Sequence, residues 1–219
     1  MNGLNILFEL AGVSRSGVII SGGRSSRLGQ DKGLMELEGK PLVRWVVDRL
    51  VGVVDEVVVV VGSEAMIPSY SAVVPGDVRV VADCYPVDCP LIGLISGLRA
   101  AVGEYAVVCA CDTPFINPDI VDFLFEVSHG RDGVLLLKPN GWAEPFPSVY
   151  HIEDCLGYAE VLRGLGEMRI RKVLEGMPDA VRLPVEDLRS FDPDLLSFVD
   201  LDTVDSVKEA QRLLRGSSG

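Results

Sequence analysis

The sequence contains very few histidines, and this shortage excludes several kinds of enzyme chemistry. His129 and His151 are the only two in 219 residues. Neither belongs to an HExxH zinc motif, and neither stands beside a plausible serine or cysteine nucleophile. The sequence therefore gives no support to zinc-dependent hydrolysis or to triad chemistry.

Long apolar runs are also missing. Runs such as residues 57–61 are far shorter than the roughly 20 apolar residues that a membrane-spanning helix needs. Residues 4–10 are apolar, but Glu9 interrupts them and no Lys or Arg precedes them, which argues against a signal peptide. We therefore expect a cytoplasmic protein without a membrane partner.

Positive charge is in deficit, with 20 Lys and Arg against 32 Asp and Glu and a net charge of −12. This balance disfavours nucleic acids and anionic membranes as partners. Basic residues nevertheless gather in residues 22–32, where Arg24, Arg27 and Lys32 stand against Asp31 alone. This segment is either a pocket for a small anion or a solvated basic loop.

Disulfide bonds are not expected, because five cysteines are an odd number in a chain that lacks an export signal. Cys109 and Cys111 are two residues apart and would share one face of a strand. Together with Cys84 and Cys89 they could in principle bind zinc, but the spacings CxC and C-x4-C differ from those of zinc fingers. Reduced thiols are the better interpretation.

Short runs rich in Val and Ile alternate with helix-like stretches along the chain. Strands are predicted at residues 16–21, 56–61, 78–82, 105–110 and 133–137. Helices are predicted at residues 41–53, 91–102 and 118–127. The alternation predicts a single three-layer, Rossmann-like α/β domain with a mostly parallel sheet. We place this domain at residues 16–215, with 1–15 as an unassigned extension and 216–219 as a tail.

The first predicted strand leads into a Gly-rich, basic loop. In open parallel sheets, ligands bind beyond the carboxyl ends of the strands. Gly22 and Gly23 would let backbone N–H groups approach phosphates closely, while Arg27 and Lys32 would supply positive charge. The spacing matches neither the P-loop nor the G-x-G-x-x-G dinucleotide fingerprint. The residues therefore predict a phosphate site outside these two classes.

Residues 22–42, GGRSSRLGQDKGLMELEGKPL, resemble the nucleotide-binding opening of the nucleotidyltransferase superfamily. The motifs DKGL and GKPL resemble the molybdenum cofactor guanylyltransferase family in particular. The resemblance implies a Mg²⁺-dependent transfer of GMP from GTP to the phosphate of molybdopterin, with other proteins of molybdenum cofactor biosynthesis as candidate partners. Arg27 and Lys32 would be catalytic. The nucleotide-binding residues that the resemblance implies here are Ser21, Gly22, Gly23, Arg27 and Lys32.

Two further motifs in the middle of the chain resemble the same family. Residues 83–94 resemble its D-x(n)-GPLAG motif, which implies that Asp83 and Gly93 lie near the nucleoside. Residues 111–115, CDTPF, imply that Asp112 binds the nucleotide, takes part in catalysis and holds Mg²⁺. The alternatives are a turn or N-cap role for Asp83 and a helix-capping role for Asp112.

Two positions depart from the family pattern. Cys89 replaces the first glycine of GPLAG, and residues 57–61 contain only valine where the family usually has an asparagine after the second strand. Both departures concern recognition of the base. Three alternatives stay open: the use of CTP, transfer to another phosphorylated acceptor, and a non-catalytic nucleotide-binding relative.

The second half of the chain carries the motifs that the resemblance assigns to the acceptor. Residues 142–150 resemble the EP-containing strand of the superfamily, which implies that Glu144 binds the acceptor. Trp142 or Phe146 could stack on a flat pterin or simply pack in the core. In residues 166–172, which resemble the [GE]-x-R motif, we choose Arg169 over Arg171 as the acceptor-binding arginine. The alternative is a solvated helix face.

The closing motif of the family resembles residues 198–205, FVDLDTVD. The resemblance makes Asp200 the candidate for a second metal contact and for an acceptor contact, whereas Asp202 could be only structural. Thr203 is expected to cap the last helix, with Ser206 where a capping box usually has Glu.

Overall fold

The computed structural model describes residues 14–21 and 31–216. The strands in these ranges are β1 (Arg15–Ser21), β2 (Glu36–Leu37), β3 (Lys40–Pro41), β4 (Glu56–Val61), β5 (Arg79–Ala82), β6 (Tyr105–Ala110), β7 (Val134–Leu137), β8 (Ala143–Glu144), β9 (Ser148–His151) and β10 (Val181–Pro184). The α-helices are α1 (Leu42–Leu50), α2 (Ile67–Ser71), α3 (Pro90–Ala100), α4 (Pro118–Ser128), α5 (Ile152–Gly164), α6 (Ile170–Gly176) and α7 (Val204–Gly216). Across the described part of the chain, no helix combines the length and apolar character needed to span a membrane.

The central sheet has the strand order β5-β4-β1-β6-β9. Strands β5, β4, β1 and β6 run parallel, and β9 pairs antiparallel with β6 at one edge. Smaller sheets are formed by β10-β7-β8 and by β2-β3. The mostly parallel sheet is therefore confirmed, and the carboxyl ends of β1, β4, β5 and β6 lie along one edge.

Alternate residues of the central strands pack on opposite faces of the sheet. Ile19 and Val59 contribute to the core beneath α1 and α4, whereas Val18 and Val58 contribute to the core beneath α3 and α5. Both faces are covered, which explains why these strands read as continuous apolar runs rather than as alternating ones. The three-layer α/β prediction is confirmed.

The predicted elements match the observed ones closely, and the differences have local causes. Helix α1 ends at Leu50 rather than at residue 53, ahead of Gly52, whose φ of 100° interrupts helical geometry. The apolar pattern predicts neither β9 nor β10, although the resemblance places a strand within residues 142–150. Each is only four residues long, and β9 follows a segment that contains Pro145 and Pro147, so the alternation is too short to recognise.

The glycines of α3 let this helix approach β1 closely. A Cβ atom at Gly93 would lie 2.6 Å from Cγ2 of Ile20, and one at Gly97 would lie 2.3 Å from Cγ1 of Val18. Both distances are shorter than side chains tolerate. The small residues of this helix are thus explained by helix–sheet packing against the strand that ends at Ser21.

The cysteines are free in the described part of the chain. Cys109 and Cys111 lie in the core beneath α1 and α4, as their spacing predicts. Cys89 packs against the core on the opposite face of the sheet, and Cys84 is exposed. The four thiols of the zinc alternative thus lie in different places, which agrees with the reduced-thiol interpretation.

The last helix returns the chain to the carboxyl edge of the sheet. Leu201 and Ala210 pack with Leu37 and Leu42 in a separate small core. Thr203 Oγ1 accepts a hydrogen bond from the N–H of Ser206 at 3.1 Å, and Ser206 Oγ accepts one from the N–H of Thr203 at 3.0 Å. The predicted cap is confirmed, and it fixes where the segment before α7 approaches the sheet.

Candidate active site

Three predicted site residues lie at or just after the carboxyl ends of the parallel strands β1, β5 and β6. Ser21 is the last residue of β1. The N–H of Asp83, just after β5, donates to the carbonyl of Val61 at 2.8 Å. The N–H of Cys111, just before Asp112, donates to the carbonyl of Ile20 at 3.1 Å. These strand-to-strand contacts bring the three predicted residues to the edge at which ligands of such sheets bind.

The predicted phosphate loop follows Ser21 in the sequence. Gly22, Gly23 and Arg27 lie outside the described residues, so their phosphate contacts stay predictions. The described chain resumes at Asp31, and Lys32 follows directly. Lys32 is therefore the member of the predicted basic cluster that lies within the described residues.

Lys32 lies between two carboxylates that come from distant parts of the sequence. Its Nζ is 2.8 Å from Oδ2 of Asp112, and it also forms an ion pair with Asp202. Burial alone would lower the pKa of Lys32, but the hydrogen bonds to Asp112 and Asp202 outweigh this effect and raise it above the ordinary value. Lys32 therefore stays charged at physiological pH.

The segment before α7 is attached to the end of β6 through the backbone. The N–H of Leu201 donates to the carbonyl oxygen of Asp112 at 3.0 Å. This hydrogen bond places the flanking Asp200 and Asp202 beside Asp112. The closing motif and the CDTPF motif, far apart in sequence, thus meet in one site.

Asp200 lies among other acidic groups. Although its side chain is exposed, the surrounding protein limits the hydration of its carboxyl group, and Asp112, Glu144 and Asp202 repel its negative charge. These effects exceed the attraction of Lys138 and raise the pKa of Asp200 to about 6. The predicted residues Asp112, Glu144 and Asp200 are therefore near one another.

The donor set suits a hard divalent cation. Asp112 and Asp200 offer carboxylate oxygens, and the repulsion felt by Asp200 is the kind that a bound cation relieves. Within residues 14–21 and 31–216, no group of three or more His, Cys, Asp or Glu side chains forms a metal site by itself. Mg²⁺ commonly takes one or two protein carboxylates and completes its shell with substrate phosphates and water. The residues fit that mode of binding.

The capping alternative for Asp112 is wrong. The N-cap of α4 is Asn117, whose Oδ1 accepts a hydrogen bond from the N–H of Asp119 at 2.9 Å. The carboxylate of Asp112 instead pairs with Lys32. A carboxylate at a strand end that pairs with a lysine has the position expected of a catalytic group.

Asp83 has an oxygen that is ready to accept a hydrogen bond. Its Oδ1 is buried and has no partner among the described residues. Burial is the main cause that raises the pKa of Asp83 to about 6, Ser96 opposes the shift, and repulsion by Asp88 adds to it. The N-cap of α3 is Cys89, so Asp83 does not cap that helix. Its unpaired oxygen agrees with the predicted contact to a nucleoside, whereas the contact predicted for Gly93 stays untested beside its packing role.

A buried tyrosine that the sequence did not single out joins both ends of the predicted phosphate loop. Tyr70, in α2, is fully buried, and its hydroxyl lies 2.6 Å from Oγ of Ser21 and 2.5 Å from Oδ1 of Asp31. Oδ1 of Asp31 also accepts a hydrogen bond from the N–H of Gly33 at 3.1 Å. Helix α2 has five residues and was not predicted, so no sequence signal placed Tyr70 at this site.

Gly33 is needed where the chain passes this hydrogen-bond network. A Cβ atom at this position would lie 2.2 Å from Oγ of Ser21 and 2.3 Å from the hydroxyl of Tyr70. Gly33→Ala should therefore lower the free energy of unfolding by about 1–3 kcal/mol, measured by urea denaturation. Gly76→Ala is the control, because a Cβ there would lie more than 4 Å from any described atom. Equal stability of the two variants would contradict the close packing.

The residues predicted for the acceptor side lie in different surroundings, and their acceptor contacts stay predictions. Glu144 pairs with Lys138 and lies near Asp200. Arg169 is 74% exposed and pairs with Glu167 at 2.5 Å, so the structure does not bring it to the carboxylates. Arg171, the arginine that we passed over, lies 4.1 Å from the centre of the Trp142 ring. The choice of Arg169 stays a prediction, and Arg171 is the arginine of this motif that packs against Trp142.

Comparison with known proteins agrees with this geometry. Residues 17–182 match the MobA-like NTP transferase domain. The chain is 33% identical over 201 residues to a probable molybdenum cofactor guanylyltransferase of Methanosarcina acetivorans, with 89% of each chain covered. It is 30% identical over 202 residues to the corresponding protein of Natronomonas pharaonis, with 91% of this chain and 98% of the relative covered.

A solved structure shows the same fold. Molybdopterin-guanine dinucleotide biosynthesis protein A from Archaeoglobus fulgidus superposes with a TM-score of 0.77 at 26% identity, covering 92% of this chain and 99% of the other. The resemblance predicted from the DKGL, GKPL and CDTPF motifs is confirmed. The chain belongs to the MobA-like NTP transferase family and is a nucleotidyltransferase.

Proposed function

We propose that the protein transfers GMP from GTP to the terminal phosphate of molybdopterin, giving molybdopterin guanine dinucleotide and pyrophosphate. The relatives named above as molybdenum cofactor guanylyltransferases support this substrate pair. The observation that carries the proposal is the ion pair between Lys32 and Asp112, 2.8 Å long. It joins the DKGL and CDTPF motifs at the carboxyl edge of the sheet, where a triphosphate would bind.

The reaction is an in-line displacement at phosphorus. A phosphate oxygen of molybdopterin attacks the α-phosphorus of GTP, and the bond from that phosphorus to the departing pyrophosphate breaks as the new bond forms. No protein nucleophile is required. The chain contributes position and charge, because Lys32 can offset the negative charge of the phosphates in a partly buried site. We expect Arg27 and the glycines of the loop to hold the same phosphates.

We propose that Asp112 and Asp200 hold Mg²⁺. When bound, the ion would neutralise and orient the phosphates. The two carboxylates supply the protein oxygens of the site, and the hydrogen bond from Leu201 to the carbonyl of Asp112 fixes their mutual position. Nζ of Lys32 lies 2.8 Å from Oδ2 of Asp112, so Lys32 would stand directly beside the bound ion and the phosphates.

The acceptor is expected on the side of the site formed by Glu144 and Asp200. Trp142 is 59% exposed, so simple core packing does not account for it. The guanidinium of Arg171 over its ring supplies positive charge beside a flat surface. We therefore favour the stacking interpretation of Trp142 and keep Arg169 as a further acceptor contact. A cytoplasmic location stays a prediction, and so do other proteins of molybdenum cofactor biosynthesis as partners.

Pyrophosphate release separates an enzyme from a nucleotide-binding relative. The proposed reaction releases pyrophosphate only when GTP, molybdopterin and a divalent cation are all present. Direct quantification of pyrophosphate by ion chromatography, with EDTA as the metal-free control, measures this release. Binding of GTP without pyrophosphate release under any of these conditions would favour the non-catalytic alternative.

The base should be selected by hydrogen bonding. Guanine presents N1–H and N2–H₂ donors, and the unpaired Oδ1 of Asp83 is an acceptor in the predicted nucleoside site. A site that offers acceptors to these donors rejects a base that lacks them, because the acceptors stay unpaired. We expect kcat/KM for GTP to exceed that for ATP by at least roughly tenfold in a steady-state assay. Equal use of both, or a preference for CTP, would contradict the guanylyl assignment and leave the nucleotidyltransferase family unchanged.

A further inference from the structure

We propose that Tyr70 is a positioning residue for nucleotidyl transfer, which holds Asp31 and Lys32 in register with the end of β1. The effect of Tyr70 on the kinetics rests on the proposed function. The structural part of its role concerns described residues alone and can be tested without turnover.

The hydroxyl of Tyr70 links two points of the chain that flank the predicted phosphate loop. A phenol has one proton, which it donates to Oδ1 of Asp31 at 2.5 Å, leaving its lone pairs to accept from Oγ of Ser21 at 2.6 Å. Asp31 in turn accepts from the N–H of Gly33. One buried hydroxyl thus connects the last residue of β1 with the residue that precedes Lys32.

The packing around Tyr70 makes this link rigid. The ring is fully buried in the core beneath α1 and α4, and Gly33 passes so close that no Cβ atom fits between them. Burial raises the pKa of Tyr70 above its ordinary value, as do the nearby Cys111 and Asp31. The phenol therefore stays protonated and acts as a bridge rather than as a base.

The consequence for the site follows from the position of Lys32. Lys32 is the residue after Asp31, and its Nζ meets Asp112 at 2.8 Å. Without the bridge, the Asp31 carboxylate loses a charge-assisted hydrogen bond and the lysine backbone loses a fixed point. A shift of about 1 Å in a catalytic group can cost about 100-fold in rate, so a remote hydroxyl can affect turnover through Lys32.

The test compares Tyr70→Phe with Tyr105→Phe. Tyr105 is also buried and its hydroxyl also makes two hydrogen bonds, with Gly130 and Arg131, but it lies at the start of β6, away from Asp112. We expect Tyr70→Phe to lower kcat/KM for GTP by about 10- to 100-fold. The control should stay within about twofold of the parent. Parent-like kinetics of Tyr70→Phe would overturn the proposal.

Hydrogen–deuterium exchange supplies a readout that does not depend on turnover. Backbone amides of residues 31–35 should exchange faster in Tyr70→Phe than in the parent and in Tyr105→Phe. If the parent makes no dinucleotide from GTP, the proposed function fails, and this exchange alone decides the role of Tyr70. Faster exchange at residues 31–35 supports the positioning role, and parent-like exchange overturns it.

A double-mutant cycle distinguishes positioning from general destabilisation. If Tyr70 acts through Asp31, the double variant of Tyr70→Phe and Asp31→Ala should exchange and turn over like Asp31→Ala alone, since both changes remove the same link. Effects that add would show that Tyr70 acts by another path and would overturn the proposal.

Discussion

Replacing Lys32 with methionine should lower kcat/KM for GTP by at least about 100-fold, with a raised KM as well as a lowered kcat. The substitution keeps the apolar stem and removes the charge. Lys32 separates Asp112 from Asp202, and Asp200 and Glu144 are nearby. Without the lysine, these carboxylates would leave the site strongly negative and would repel the triphosphate.

Lys40→Met is the matched control for this prediction. Lys40 is also partly buried and ion-paired, with Asp48, but it lies in β3 and covers the ring of Trp45. Lys40→Met should leave kcat and KM for GTP within about twofold of the parent values. If the Lys32 and Lys40 variants had the same kcat and KM for GTP, Lys32 would have no catalytic role.

Asp112→Asn should lower turnover much more than it lowers the affinity for GTP. The change keeps the shape of the side chain and removes one negative charge close to the phosphates. We expect kcat to fall by at least about 100-fold, while the affinity for GTP changes by less than about tenfold. The concentration of Mg²⁺ needed for half-maximal activity should rise, because a carboxylate ligand is lost.

Asp48→Asn serves as its control, since Asp48 is likewise an ion-paired carboxylate but is more exposed than Asp112 and belongs to α1, away from the site. Stopped-flow or isothermal binding of GTP, together with steady-state turnover, separates the two effects. Turnover and magnesium dependence equal to those of the parent would make Asp112 a structural residue that only anchors Lys32.

The sequence was sufficient to predict the parallel strands of the central sheet because these strands are buried on both faces. Apolar runs such as those of β1, β4 and β6 are predicted by composition alone, and their order along the chain predicts a parallel sheet. The antiparallel edge strand β9 and the helix α2 were not predictable. Both are short, and their stability comes from tertiary packing rather than from periodicity.

In the site, too, some residues were predictable from the sequence and others were not. Lys32 and Asp112 belong to family motifs that follow β1 and β6 in sequence, and the fold brings the two side chains together. The sequence left a purely structural role open for Asp202, and the structure shows that it forms an ion pair with Lys32. Tyr70 carried no motif at all. Contacts that arise when a distant segment folds back, as α2 and the segment before α7 do, depend on three-dimensional packing that spacing along one sequence does not encode.

The most direct test of the proposed function is the identity of the product from a panel of nucleotides. The purified protein is incubated with Mg²⁺, molybdopterin and each of GTP, ATP, CTP and UTP in turn, and products are identified by liquid chromatography and mass spectrometry. We predict molybdopterin guanine dinucleotide as the main product, formed together with pyrophosphate and absent when EDTA is added. A cytosine dinucleotide as the main product, or no dinucleotide from any of the four nucleotides, would contradict the assignment.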